Sequence, residues 1–326
     1  MTLLLSRRSL SALALAGMPA AVRAQSAWPD RPVRLVVPFG AGGAVDTLSR
    51  TVANAFPQQA NGQPMVVENR SGAGGTIAGG VVATSRADGY TLMMADLGAN
   101  AIGKMLQPGL GYDPLTAFSP IIHLVNLPLV IVTRPGLGTA TVPELIDLAK
   151  RRNGEMTYAS PGVGHASHLS AELLARRAGI RWQAVHYRSG ADVMRSVIAG
   201  ETDWTIPSVS TAMPFIREDK VRAIAVSTAD VVPALPGVPT IAATYDGFSS
   251  ATWHGVVGPA GMPQDIVLAA NRALRAIITT PSVKEQTERV QAAQIVAGTP
   301  EDFASFIRAE AAKWEPVIRE GNIRAE

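Results

Sequence analysis

The chain has 326 residues, enough for two lobes with a core each, and its 47% apolar and 17% charged content excludes a disordered polypeptide. It contains no cysteine, which excludes disulfides, thiolate metal sites and cysteine nucleophiles. Arg7, Arg8 and Arg23 account for the whole formal charge of +3, so the chain beyond residue 24 is neutral and a basic surface for nucleic acid or anionic lipid is not expected.

Residues 1–24 read as a targeting segment. Arg7-Arg8 precedes an apolar, small-residue stretch over 10–21, and Val22-Arg23-Ala24 offers a cleavage site after Ala24. The paired arginines also fit a twin-arginine signal. The segment is too short for a membrane span and no later run approaches that length, so a periplasmic or secreted protein is expected.

Strands and helices then alternate. Residues 33–38 predict a buried strand and 45–56 a helix, with Val45, Leu48, Val52 and Phe56 near helical spacing. A short strand is expected over 65–68, a helix over 77–85 and a strand over 90–95, after the Asp88-Gly89 turn. Residues 121–133 form a long apolar stretch broken at Pro128, a candidate crossing between lobes. Thr141 and Pro143 mark a helix start, and Asn153-Gly154 its end. Strands are expected over 156–159, 184–187, 202–206 and 223–227, with helices over 167–178 and 191–199. The proline-rich residues 231–239 exclude regular structure. A second crossing strand is expected over 253–257, followed by helices over 263–278, 282–293 and 299–318. The last opens on Thr299-Pro300-Glu301-Asp302, a capping-box arrangement.

This βαβ alternation predicts an α/β protein whose sheets are covered by helices. Three glycine-rich turns lie between strand-like and helix-like runs, at Phe39 to Gly43, Ser71 to Gly75 and Ser160 to His165. Such turns point backbone N–H groups and a helix N-terminus at an anion, which suggests a pocket for a carboxylate or phosphate. None completes a P-loop or a Gly-x-Gly-x-x-Gly fingerprint, so a nucleotide is not expected. His165 and His168 have no carboxylate or cysteine companion motif, so no metal is assigned. No Gly-x-Ser-x-Gly or comparable catalytic signature is present.

At this point the residues resemble a known family. Trp28-Pro29-Asp30-Arg31-Pro32 leading to Val36-Val37-Pro38-Phe39, with Gly42-Gly43 and Asp46, is similar to the start of the tripartite tricarboxylate transporter receptors, the Bug family of extracytoplasmic solute-binding proteins. Val67-Glu68-Asn69-Arg70 with Gly72-Ala73-Gly74-Gly75, Ala87-Asp88-Gly89-Tyr90, Tyr112-Asp113-Pro114, Leu235-Pro236-Gly237 and Pro259-Ala260-Gly261 continue the likeness in order over nearly the whole mature chain. Departures fall at Ser160-Pro161-Gly162-Val163-Gly164-His165, where relatives often carry Ser-Ser-Gly-Asn-Gly-Thr, at His186 and Ser189, and around residues 242–248.

The resemblance implies a two-lobed type II periplasmic binding protein fold with a ligand cleft between the lobes. The first lobe would take residues 25–125 and 251–326, and the second 126–250. It also implies capture of a small organic carboxylate by hinge closure and delivery to membrane permease subunits, by a monomer needing no cofactor. A ligand-dependent sensor and an enzyme on the same fold are the alternatives. Phe39, Gly40, Ala41, Gly42 and Gly43 are expected to hold a carboxylate through their amides. Asp46 is expected either to face the ligand or to flank the first helix. Ala95 and Asp96 close the third strand beside them. Ser160, Gly164, His165, Ala166, Ser167 and His168 form the expected specificity segment, with Tyr187, Asp203 and Ser208 on the opposite wall. Trp253, at the second crossing, is expected to sense closure.

Overall fold

The computed structural model describes residues 28–290 and 292–325, so the expected targeting segment lies outside the described residues. The chain first lays down three parallel strands, β1 (Val33–Val37), β2 (Met65–Asn69) and β3 (Thr91–Ala95). Val33, Leu35, Val36 and Val37 have no exposed surface, as suits a strand covered on both faces. Helix α1 (Ala44–Gln59) turns Leu48, Val52 and Phe56 onto this sheet, and α2 (Thr76–Ala83) covers it with Ala78 and Val82. A wide π turn over Gly98–Ile102 and the short α3 (Gly103–Leu106) follow β3.

Strand β4 (Phe118–Pro128) leaves the first sheet and continues through Leu129 into β5 (Val130–Thr133) of a second. That sheet adds β6 (Thr157–Ser160), β7 (Gln183–His186), β8 (Trp204–Thr205) and β9 (Arg222–Val226) in the order β7-β6-β8-β5-β9. Its helices are α4 (Val142–Arg151), α5 (Ala166–Ala178), α6 (Gly190–Ala199) and α7 (Val209–Arg217). The chain returns on β10 (Ala251–Pro259), antiparallel to both β3 and β4, then forms α8 (Gln264–Thr279), α9 (Pro281–Glu285), β11 (Gln294–Ile295) and α10 (Pro300–Glu320). The first sheet therefore reads β11-β4-β10-β3-β1-β2.

Three serines tie the passages between the lobes. Ser227 Oγ donates to the Ser250 carbonyl at 2.6 Å and accepts from the Leu129 amide at 3.2 Å. Ser170 Oγ donates to Ser250 Oγ at 2.8 Å. A continuous apolar cluster runs from Met93, Trp253, Phe303 and Trp314 into Leu169, Tyr158 and Trp204, so the two lobes share buried surface beside the crossings.

The structure departs from the sequence reading at two places. The helix expected over 282–293 stops after α9, and a wide turn over Gln286–Val290 brings β11 antiparallel to β4 at Val125 and Asn126. Pairing the open edge of β4 outweighs local helix propensity there. Helix α7 is unexpected because Pro214, ordinarily a helix breaker, lies inside it, although Val209, Ala212 and Met213 keep helical spacing.

Candidate functional site

The parallel strands β1 and β6 to β8 end facing one another, and the helices that follow them begin there. A small cavity of about 40 Å³ lies between the lobes at this point. Four helix N-termini line it: Ala44 and Val45 of α1, His165 and Ser167 at the start of α5, Gly190 of α6, and Ser208 and Thr211 at the start of α7. Phe39 and Gly40 come from the first glycine turn, and Thr252 and His254 from β10.

Three of these helices are capped from within the chain. His165 Nδ1 accepts from the Ser167 amide at 3.1 Å, Ser189 Oγ from the Asp192 amide at 3.2 Å, and Ser208 Oγ from the Thr211 amide at 3.4 Å. Helix α1 has Gly43 at its cap and no side-chain acceptor, so its first-turn amides are left to the cavity. Each N-terminus presents about half a positive elementary charge. No Lys, Arg, Asp or Glu lines the cavity, so its positive potential comes from backbone dipoles alone. At about 10–15 Å³ per water, there is room for roughly three waters or one carboxylate with a short substituent.

The walls are held from behind. Asp46, 4% exposed, accepts from the Gly42 amide and Arg50 Nε at 3.0 Å each, and from Asn69 Nδ2 at 2.9 Å. Asn69 also donates to the Phe39 carbonyl at 2.8 Å, so both ends of the turn are tied. Burial pushes the Asp46 pKa up, but the hydrogen bonds from Arg50, Asn69 and Gly42 outweigh it and hold it below the usual carboxylate value. Burial lowers the His165 pKa to about 4, so this ring is neutral at pH 7. Its edge meets Phe39 across the lobes, with ring centroids 5.3 Å apart. His254 is 3% exposed and its pKa is pushed to about 3, first by burial and then by His165.

The lobes touch around the cavity. A Cβ on Gly74, which has φ +61°, would collide with the Val163 carbonyl, and one on Gly164, with φ +80°, would collide with Leu106. At Gly74, where the obstacle is backbone, only glycine permits both that turn and that approach. By contrast, a Cβ on Gly43 would meet nothing closer than 3.8 Å, so this glycine is not required by contact between the lobes. Past Phe39 and Pro161 the cavity adjoins an open groove. Ser71 to Gly74, Gly162, Val163, Tyr187, Arg188 and Arg324 line it.

A family model for the tripartite tricarboxylate transporter family receptor matches residues 48–323. The chain belongs to this family. It is 34% identical over 323 residues, 98% of this chain and 95% of the relative, to the UPF0065 protein in the tcbD-tcbE intergenic region of Pseudomonas sp. strain P51. Its fold is similar to R. palustris Rpa4515 solved with adipate, with a TM-score of 0.86, 34% identity and coverage of 90% and 97% of the two chains. It is similar also to the periplasmic binding protein BugD, with a TM-score of 0.85, 30% identity and coverage of 92% and 100%. The fold is thus the two-lobed α/β fold of the periplasmic binding proteins. Among the described residues, no helix is long and apolar enough to cross a membrane, and no group of three His, Cys, Asp or Glu could hold a metal.

Of the residues expected in the site of this receptor, Phe39, Gly40, Gly43, His165, Ser167 and Ser208 line the cavity. Ala41 and Gly42 are exposed on the outer side of the turn, and Asp46 anchors that turn from below. Ala95 pairs with Gly255 of β10 across the sheet, and Asp96 caps the following π turn by accepting from the Gly98 and Ala99 amides. Burial pushes Asp96 up to about 7. Ser160 Oγ is taken by His186 Nδ1 at 3.0 Å, and His168 Nδ1 accepts from the Gly164 amide at 3.2 Å. Both therefore shape the third turn from behind, as do Gly164 and the buried Ala166. Tyr187 lines the groove rather than the cavity.

Asp203 needs a correction: it precedes β8 and so lies at the far end of the second sheet. There it accepts from Arg134 Nε at 3.1 Å, Arg152 Nη1 at 2.9 Å and the Thr157 amide at 3.0 Å. Parallel strands present ligands at their C-terminal ends, and Asp203 is at the N-terminal one. The sequence reading missed Thr211, Gly190, Thr252 and His254. The Ser189-Gly190-Ala191-Asp192 capping pattern was the one available signal for the α6 terminus.

Proposed function

We propose that the protein is a periplasmic receptor that closes over a small carboxylate and delivers it to the permease subunits of a tripartite tricarboxylate transporter. One observation carries the reading: four helix N-termini surround a cavity whose lining contains no charged side chain. Such a site favours an anion and offers no acidic side chain to a cation. The adipate held by a similar protein supports a carboxylate rather than a phosphate. The anion would sit on the amides of α1 and of the turn at Phe39 to Gly43, with Ser167, His165 and Ser208 completing the site from the other lobe. Closure follows because ligand contacts come from both lobes and exist together only when these meet.

Export through residues 1–24, action as a monomer, and a division into residues 25–125 with 251–326 and 126–250 belong to the same proposal. So does the absence of a catalytic step: His165 and Ser208 at the cavity are engaged in capping helices, and no hydroxyl there bonds to an imidazole as a nucleophile–base pair would.

Thermal unfolding of the chain from Gln25 onward, against carboxylates, phosphates, amines and neutral amides, tests the reading. A carboxylate at 100 times its Kd should add about 2.7 kcal/mol of stability. A shift by amines or neutral amides alone would refute it. Uptake with the permease subunits in membrane vesicles then tests delivery, which must depend on the added receptor.

A further inference from the structure

The second glycine turn and the groove beside the cavity have no part in holding a single small carboxylate. The groove encloses about 820 Å³, against about 40 Å³ for the cavity, and both are bordered by Phe39 and Pro161. The cavity holds a carboxylate and little more. The rest of a longer ligand therefore lies past Phe39 and Pro161, in the groove.

Two arginines line that groove from opposite sides of the cleft. Arg188 follows β7 of the second sheet. Its neighbours hold it in place: the Tyr187 amide donates to the Ser160 carbonyl at 2.8 Å, and Ser189 caps α6. It also runs close to the first glycine turn, where a Cβ on Gly40 would lie 3.6 Å from the Arg188 carbonyl. Arg324 follows α10, which packs on β4 of the first sheet. Ile323 beside it is buried, and the Ala325 amide donates to the Leu106 carbonyl at 3.0 Å, which pins this stretch to α3. Ser71 to Gly74 of the second turn line the same space.

Among the described residues, no Asp or Glu lines the groove. Asp192 feels the charge of Arg188, but it is Arg195 that bonds this carboxylate. Arg324 Nε donates at 3.3 Å to Asn322 Oδ1, a neutral acceptor. Two cations bordering one space repel each other, and an anion placed between them is attracted by both.

We propose that the groove receives a second anionic group of the ligand, set between Arg188 and Arg324, so that the protein selects dianions whose first carboxylate lies in the cavity. This rests on the carboxylate reading of the cavity and names the far end of the ligand. An apolar spacer suits the passage, because Phe39 and Pro161 border it.

Calorimetric titration of linear dicarboxylates from malonate to sebacate, each against the monocarboxylate of equal length, tests the proposal. The proteins compared are the wild type, Arg188→Gln, Arg324→Gln, the double variant and Arg188→Lys. Both arginines are exposed, so all the variants should fold. At the length that spans both spaces the wild type should prefer the dianion by about 10-fold, as two solvent-screened ion pairs allow. Each Gln variant should lose part of that preference and the double variant nearly all of it, while Arg188→Lys keeps part because its charge survives. Added salt should shrink the preference in the wild type and leave the double variant unmoved, a response that a merely structural role for the arginines would not give. Equal affinities at every length for the wild type would overturn the proposal while leaving carboxylate binding intact. A preference undiminished in the double variant would overturn it too. Failure of every carboxylate to bind would instead overturn the receptor reading beneath it.

Discussion

Replacing Asp46 with alanine separates a ligand contact from a support for the loop that makes one. The carboxylate is 4% exposed and accepts from the Gly42 amide, Asn69 and Arg50 at 2.9–3.0 Å. The other two donors, the Gly42 amide and Asn69, each bond a buried charged group, an interaction of about 1.5–3 kcal/mol. Arg50 is 52% exposed, so solvent screening leaves its ion pair little to add. Asp46→Ala should therefore lower stability at pH 7 by about 3–6 kcal/mol, read from urea unfolding followed by tryptophan fluorescence. Because the folded pKa is depressed below 3.8, the contribution is full above that value and is lost as pH falls through the folded pKa. The gap between the wild-type and variant curves should thus narrow in acid below pH 3.8. Ligand affinity should fall as well, through the loosened turn. Unchanged stability together with abolished binding would refute the supporting role and place Asp46 against the ligand.

Gly74→Ala should leave each lobe folded but hold the lobes apart at Val163. Ligand affinity should drop at least about 10-fold, since contacts from one lobe would be lost, and small-angle scattering should show no compaction with ligand; wild-type affinity would sink this account. Asp203→Ala leaves Arg134 and Arg152 without their carboxylate, at an expected cost of about 2–4 kcal/mol, while calorimetric affinity should stay within about 2-fold; a much larger affinity loss would return Asp203 to the site. His123, His165, His168 and His254 are held neutral by burial, with pKa values pushed from 6.5 to about 4, 4, 3 and 3. Their contribution is full above pH 6.5 and declines as pH falls toward the folded values, by roughly 1 kcal/mol per pH unit per histidine. A melting temperature that stays flat from pH 7 to pH 5 would contradict that burial.

Strands such as β1, with unbroken Val and Leu, and helices such as α1 and α10, with apolar spacing or a capping box, were legible because their signals are local. The first and third glycine turns were legible as anion-binding candidates for the same reason: strand, glycine and helix start adjoin in the chain. The second turn reads alike, yet the fold sends it to the groove, where Gly74 meets Val163. Asp203 illustrates the opposite failure. Its position beside a short strand was visible, but which end of that strand faces the other lobe depends on β8 running parallel to β6. Helix α7 escaped because Pro214 lies inside it, and with it went Thr211.

By itself the sequence determined the α/β class, the neutral charge of the chain beyond residue 24, the absence of thiol chemistry and the family. These depend on composition, short-range periodicity and ordered motifs, which need no knowledge of distant contacts. Tertiary structure alone decided that four helix N-termini converge, that β11 replaces the end of a helix, and that His254 of β10 lines the same space as the start of α1. Those groups lie some 200 residues apart in the chain, and no local pattern encodes which distant strand will line a given cavity.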